Sequence, residues 1–161
     1  MSTYSILKTS ALGELLLVAE AAHLTGVYFH GSPHAPSVAA DWVRDDRQVV
    51  LKQAREELRA YLRGERTGFS VPCDCPGTRF QKQVWSQIAA IPRGATITYT
   101  ELAWRAGAPE AIRAAATATG RNPLSIIVPC HRVVGKDGSL RGYAGGLGRK
   151  QRLLQLEGKQ E

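Results

Sequence analysis

The stretch from Thr98 to Thr119 constrains the fold of this chain more than any other, because it specifies two helices and the turn between them. Thr98 with Glu101 three residues later is a capping-box pattern that opens a helix. Gly107 closes that helix just after Arg105, and Pro109 suits the first turn of the next, which the pattern carries from Glu110 to about Thr119. Helix, glycine-containing turn, helix is the helix-turn-helix arrangement. The second helix is small-sided, with Ala111, Ala114, Ala115, Ala116 and Ala118, and Arg113 is its one basic residue. A helix that reads the major groove carries long polar side chains, and this one has almost none. Its methyl-sized face suits close approach in a minor groove roughly 6 Å wide, where Arg113 could occupy the space left by a displaced base. Tight helix–helix packing is the structural alternative for the same alanines.

Downstream, Leu124-Ser-Ile-Ile-Val128 reads as a buried strand and leads into Pro129-Cys130-His131-Arg132-Val133. A thiol is a nucleophile only as thiolate, so a neighbouring base or cation is what makes one reactive. Taken singly, Cys130 reads equally as a buried core thiol, His131 as a structural histidine, Glu157 as a surface charge and Asn122-Pro123 as a turn. Tyr99 and Tyr143 read as half-buried aromatics. Further on, a hairpin is expected to turn at Asp137-Gly138, with Tyr143–Gly146 a mobile loop. A last helix over about 148–157 would bury Leu153, Leu154 and Leu156.

Upstream, residues 4–9, 13–20 and 23–30 read as short strands and residues 31–40 as loop. Val50, Ala54, Leu58 and Tyr61 recur at helical spacing within 46–63, and Gly64 stops the run. The Gly- and Pro-containing segment 64–77 suggests a boundary between a domain at 1–75 and one at 76–161. Phe80, Val84, Trp85, Ile88 and Ile91 then line one face of a helix from about 78 to 91, ended by Pro92.

Charge divides along the same line. Residues 1–75 hold 8 Lys and Arg against 9 Asp and Glu, and residues 76–161 hold 13 against 5, a net of +8. A polyanionic partner for the second half follows, with a solvated basic surface as the alternative. No apolar run approaches the roughly 20 residues that span a bilayer, and no secretion signal is visible, so no membrane partner is expected. The three cysteines do not form a disulfide framework, and a reducing cytoplasm fits a working thiol. Cys73-Asp74-Cys75 lacks the usual gap between zinc thiols even with His30 or His34 in support, so no metal is expected and the pair reads as an exposed linker prone to oxidation.

The run from Phe80 to Glu157 resembles the O6-alkylguanine-DNA alkyltransferases, the methylated-DNA–protein-cysteine methyltransferases, in their short bacterial form. The resemblance is carried by Tyr99-Thr-Glu-Leu-Ala, Ala111-Ile-Arg-Ala-Ala, Gly120-Arg-Asn-Pro, Ile127-Val-Pro-Cys-His-Arg-Val-Val, Gly142-Tyr-Ala-Gly-Gly-Leu and Leu153-Leu-Gln-Leu-Glu-Gly, in order. It implies an α/β protein: an N-terminal ribonuclease-H-like α/β domain and a C-terminal winged-helix-like helix-turn-helix domain. It implies that Cys130 accepts the alkyl group, that His131 acts as base through a water, and that Glu157 holds the other ring nitrogen. Asn122 would brace the segment before Cys130, and Tyr99 would contact phosphate and donate toward the guanine. Arg113 would be the finger that replaces the flipped base, on a helix whose Ala114 faces DNA. Arg121 has no role beyond phosphate contact. The Cys130 and Val133 carbonyls would accept from the guanine amino group, Tyr143 would line the pocket, and the Ala144 amide would face the guanine oxygen. Ala144 stands where some relatives carry serine.

The chemistry is self-consistent. On an extended chain Cys130 and His131 would point to opposite faces, which favours a water relay over direct contact. Attack on the alkyl carbon expels guanine as an anion, so donors to the ring lower the barrier. The product is a thioether with no carbonyl for water to attack, which implies one turnover per molecule and no cofactor. The damaged base must leave the stack to be reached. The partner is then duplex DNA with O6-alkylguanine, or O4-alkylthymine, which the sequence does not rank, and the protein a monomer. Rival readings are a non-catalytic relative lacking the acceptor cysteine, a Cys-His hydrolase, and a plain helix-turn-helix regulator. Cys130, the alanine helix and the missing polar recognition face argue against each in turn.

Overall fold

The computed structural model describes residues 2–33, 35–140 and 142–158, so His34 lies outside the described residues. The chain divides into two compact units, Met1–Pro76 and Gly77–Glu161. Among the described residues no helix is long and apolar enough to cross a membrane.

The first unit is a four-stranded sheet carrying one helix. Strands β1 (Ser2–Thr9), β2 (Gly13–Glu20) and β3 (His23–Phe29) form an antiparallel meander, and β4 (Val43–Arg44) adds to β1 in parallel, giving the order β3-β2-β1-β4. Central β2 is buried on both faces: Leu15, Leu17 and Ala19 are fully covered and Leu16 and Val18 nearly so. Helix α1 (Val49–Leu62) lies against β1, β2 and β3 with Val50, Leu51, Ala54, Leu58 and Tyr61 buried, each of the larger ones contributing about 1.5–3 kcal/mol. Also buried on α1 is Glu57. Its carboxylate accepts from the Ser70 and Val71 backbone amides at 2.9 and 3.1 Å, from the Ser70 hydroxyl and from Gln53, which ties the following loop to the helix. The segment read as a linker is partly sheet, because Leu24 donates to the Pro72 carbonyl and accepts from Asp74. Cys73 is exposed and Cys75 half-buried, and partial desolvation with the Glu57 charge pushes the Cys73 thiol up to about 11.

The second unit is helical. Helix α2 (Arg79–Ala89) opens with a reciprocal capping box between Thr78 and Gln81, and it buries Val84, Trp85 and Ile88 while Phe80 is half-buried. After β5 (Ile97–Thr98), α3 (Tyr99–Arg105) and α4 (Ile112–Gly120) make the expected helix-turn-helix, with Gly107 at φ +81° in the turn. At Thr98 the cap is one-sided: its hydroxyl accepts from the Glu101 amide at 3.1 Å, while the Glu101 carboxylate faces Arg105 at 3.5 Å. Helix α4 starts two residues later than the pattern suggests. Ala111, the residue before it, has no capping side chain, and its amide closes a turn onto Ala108 instead. The indole N–H of Trp85 donates to the Ala118 carbonyl at 2.8 Å and ties α2 to α4 inside the unit.

Four further expectations are corrected. Leu124–Val128 is buried but is not a strand. Ile126 is left-handed at φ +73°, and Val128 donates back to the Leu124 carbonyl, so the segment coils. Cys130–Arg132 is one turn of 3₁₀-helix rather than extended chain. Beyond it, β6 (Val133–Val134) pairs in parallel with β5, and the Asp137-Gly138 turn closes a loop instead of a hairpin. Helix α5 (Leu147–Leu156) buries Lys150, Leu153 and Leu154, while Leu156 is only half-buried.

Candidate active site

The coil before Cys130 holds its shape through one side chain. Asn122 Oδ1 accepts from the Leu124 amide at 2.9 Å, and its Nδ2 donates to the Val128 carbonyl at 2.8 Å, with a longer contact to the Leu124 carbonyl at 3.4 Å. The same Nδ2 donates to Cys130 Sγ at 3.3 Å. Buried backbone groups need partners, and Asn122 supplies two of them here, to the Leu124 amide and the Val128 carbonyl. The left-handed Ile126 sits within this loop. For a β-branched residue that conformation is an outlier costing about 1–2 kcal/mol, and such strain clusters at functional sites.

The 3₁₀ turn sends successive side chains about 120° apart, so Cys130 and His131 still diverge. His131 is wholly buried, with Nε2 2.8 Å from Glu157 Oε2. Its Nδ1 is buried and has no hydrogen-bond partner among the described residues. Arg132 Nε and Nη2 donate to the two Glu157 oxygens at 2.8 and 2.9 Å, and Nη1 donates to the Ile91 carbonyl at 2.7 Å. Glu157 is the cap residue of α5, and Gly94 lets the loop after α2 come close beneath it. A Cβ at Gly94 would stand 3.2 Å from the Glu157 carbonyl oxygen on a backbone at φ +85°.

Lys150 is the functional candidate that sequence reasoning missed. It is fully buried on α5, and its ammonium donates to the Val133 carbonyl at 2.6 Å and to the Gly142 carbonyl at 3.3 Å. It also lies 5.9 Å from the centre of the Tyr99 ring. The Val133 carbonyl expected to meet a guanine amino group therefore already carries one donor, and the Cys130 carbonyl carries the Val133 amide. A signal was present: Lys150 stands three and four residues before Leu153 and Leu154, on the apolar face of its helix.

These surroundings set the protonation states. Burial pushes the Cys130 thiol up, opposed by the Asn122 hydrogen bond and the Lys150 charge, so it rests as a thiol at neutral pH and needs a base. Burial likewise lowers His131 against the pull of Glu157, which leaves a neutral ring with a lone pair. Tyr99 is raised, by burial first, and stays a donor. The Tyr143 ring meets His131 edge-on at 6.4 Å, and Ala144 is half-buried beside it. Cys130, His131, Glu157, Asn122, Tyr99, Val133 and Tyr143 are thus linked through contacts, whereas Arg113, Ala114 and Arg121 stand exposed on α4 and at its end. Among the described residues no group of three or more His, Cys, Asp or Glu is arranged to hold a metal ion.

Two family models match the chain. Residues 79–159 match the DNA-binding domain of 6-O-methylguanine DNA methyltransferase, and residues 3–75 match its ribonuclease-like domain. The chain belongs to the 6-O-methylguanine DNA methyltransferase family. Among relatives of this family, a methylated-DNA–protein-cysteine methyltransferase of Mycobacterium leprae is 43% identical, over 92% of this chain and 88% of its own. One from Methanosarcina acetivorans is 42% identical over 96% and 98%. The crystal structure of Mycobacterium tuberculosis OGT in complex with DNA superposes with a TM-score of 0.88 at 40% identity, covering 96% of this chain and 92% of that one. The mixed α/β architecture, a sheet domain followed by a helical DNA-binding domain, is that of the methyltransferase family.

Proposed function

We propose that this protein repairs DNA by moving the alkyl group of O6-alkylguanine onto its own Cys130, once per molecule. The observation that carries the reading is the buried ring of His131, tied at Nε2 to Glu157 and open at Nδ1, one residue from a thiol that Asn122 touches at 3.3 Å. The Cys130 proton passes through a water to His131 Nδ1. The thiolate attacks the alkyl carbon, the carbon–O6 bond breaks, and its electron pair leaves with guanine. Tyr99 donates to the departing ring, and the Ala144 amide faces its oxygen. Val133 and Tyr143 wall the pocket. The resulting thioether is stable to water, so the protein is consumed, without a cofactor.

Duplex DNA reaches the site through α4, where exposed Ala114 permits close approach and Arg113 fills the stack in place of the flipped base, with Arg121 on phosphate. O4-alkylthymine is a second substrate of the same chemistry. The protein acts as a monomer in the cytoplasm, where thiols stay reduced. The test is to incubate it with duplex DNA bearing O6-methylguanine and map the peptides by mass. One methyl on Cys130, lost in Cys130→Ala, is expected; many equivalents repaired per molecule would overturn the reading.

A further inference from the structure

Arg132 takes no part in the steps just described, yet all three of its guanidinium nitrogens are engaged at the site. Its guanidinium forks onto both oxygens of Glu157 and spends its third arm on the Ile91 carbonyl at the end of the α2 segment. The Arg132 side chain is 9% exposed and that of Glu157 is 0% exposed, so little water screens the pair. A planar fork of this kind fixes the plane of the carboxylate as well as balancing its charge. One of the two oxygens is the same Oε2 that faces His131 Nε2 at 2.8 Å.

A buried carboxylate with only an imidazole for company would pull a second proton onto the ring. With both nitrogens protonated, His131 has no lone pair to offer. We propose that Arg132 is a positioning residue for alkyl transfer: its fork takes up the charge of Glu157 and sets its oxygens, so that His131 remains neutral with hydrogen on Nε2 and the lone pair on Nδ1. This rests on the reading in which Nδ1 receives the thiol proton.

The groups facing His131 come from every element around it. Glu157 lies at the end of α5 and Lys150 within it; Arg132 and Cys130 share the 3₁₀ turn; and the Tyr143 ring presents edge-on from the loop. Among them only Glu157 favours the imidazolium. Burial, Arg132 and Lys150 oppose it, so removing Arg132 tips the balance toward protonation.

The experiment follows single-turnover methyl transfer to Cys130 between about pH 5 and 9 in wild type, Arg132→Gln and Arg132→Lys. Nitrogen NMR of the His131 ring is recorded on the same proteins. Arg132→Gln should move the acid limb of the rate profile upward by about one pH unit or more, the scale of losing a charge at close range. Its rate should fall about tenfold near the foot of that limb and recover toward wild type at alkaline pH. Arg132→Lys keeps the charge and loses the fork, so its limb should stay in place while the rate drops at every pH. Wild-type His131 should carry its hydrogen on Nε2.

A uniform loss in Arg132→Gln with an unmoved His131 titration would overturn the proposal, as would hydrogen on Nδ1 in the wild type. Should Arg132→Gln fail to fold, the lysine variant and the wild-type tautomer decide the matter. Should wild type itself leave Cys130 unalkylated, the functional reading fails, and the His131 titration still reports on Arg132 by itself.

Discussion

Replacing Asn122 by alanine strips the coil before Cys130 of its internal support. Two of the lost hydrogen bonds are short, the Leu124 amide at 2.9 Å and the Val128 carbonyl at 2.8 Å, and both backbone groups lie in a buried segment. The Leu124 amide is left without a partner at a cost of about 1–3 kcal/mol, while the Val128 carbonyl keeps the Cys130 amide at 2.8 Å and loses about 1 kcal/mol, so the expected loss is about 2–4 kcal/mol. The contacts at 3.4 and 3.3 Å add little to stability, but the second is the one that reaches Cys130 Sγ and lowers its thiol. Asn122→Ala should therefore lose stability and slow transfer even when it is folded. Asn122→Asp keeps the acceptor for Leu124 but sets a carboxylate against the thiolate, so it should retain more stability and yet transfer more slowly than alanine. Urea unfolding followed by circular dichroism, with single-turnover transfer measured in the same samples, checks both orders. A stability loss under about 1 kcal/mol for alanine, or faster transfer for aspartate, would refute the reasoning.

Other consequences are open to direct measurement. At Ile126, glycine removes the left-handed strain while alanine keeps it, and both lose the same buried side chain beyond Cβ; Ile126→Gly should thus unfold at higher urea than Ile126→Ala by about 1 kcal/mol. Burial alone would raise the Glu57 carboxyl, but hydrogen bonds from Gln53, Ser70 and Val71 outweigh it and hold it below its ordinary value. Its contribution is therefore complete above the unfolded carboxyl's titration, near pH 4.3, and disappears as pH falls through the lower folded value; urea midpoints between about pH 3 and 7 should flatten in Glu57→Gln. Arg113→Ala should slow repair of duplex DNA far more than reaction with the free alkylated base, and affinity for undamaged DNA should fall as salt rises, measured by fluorescence anisotropy.

Periodicity made the sheet meander, α1, α2 and the helix-turn-helix legible, because each buries one face at a regular interval. It failed at Leu124–Val128 for a physical reason. An apolar run reports burial, and burial is common to a strand and to a coil satisfied by a neighbouring amide. What decides between them is the Asn122 side chain and a single left-handed residue, neither of which repeats. Lys150 was overlooked for a related reason: between Arg149 and Arg152 it looks like one more solvated charge, although its position relative to Leu153 marks it as inward. The spacing points Leu156 to the interior that Glu157 occupies, since nothing in it announces that a carboxylate will be neutralised there by Arg132. Thr78 and Gln81, by contrast, spell out the capping box of α2 in the sequence itself.

The second unit also carries its own optical reporters. Trp85 is 4% exposed and hydrogen-bonded to the last turn of α4, while Trp104 on α3 is 67% exposed. With the half-buried Trp42 of the first unit replaced by phenylalanine, blue-shifted, quencher-resistant emission follows the seating of α4, and red-shifted emission follows whatever approaches the neighbouring surface. Two events that a binding curve would merge, arrival of the duplex and adjustment of the helix beneath it, fall at different wavelengths without any added label.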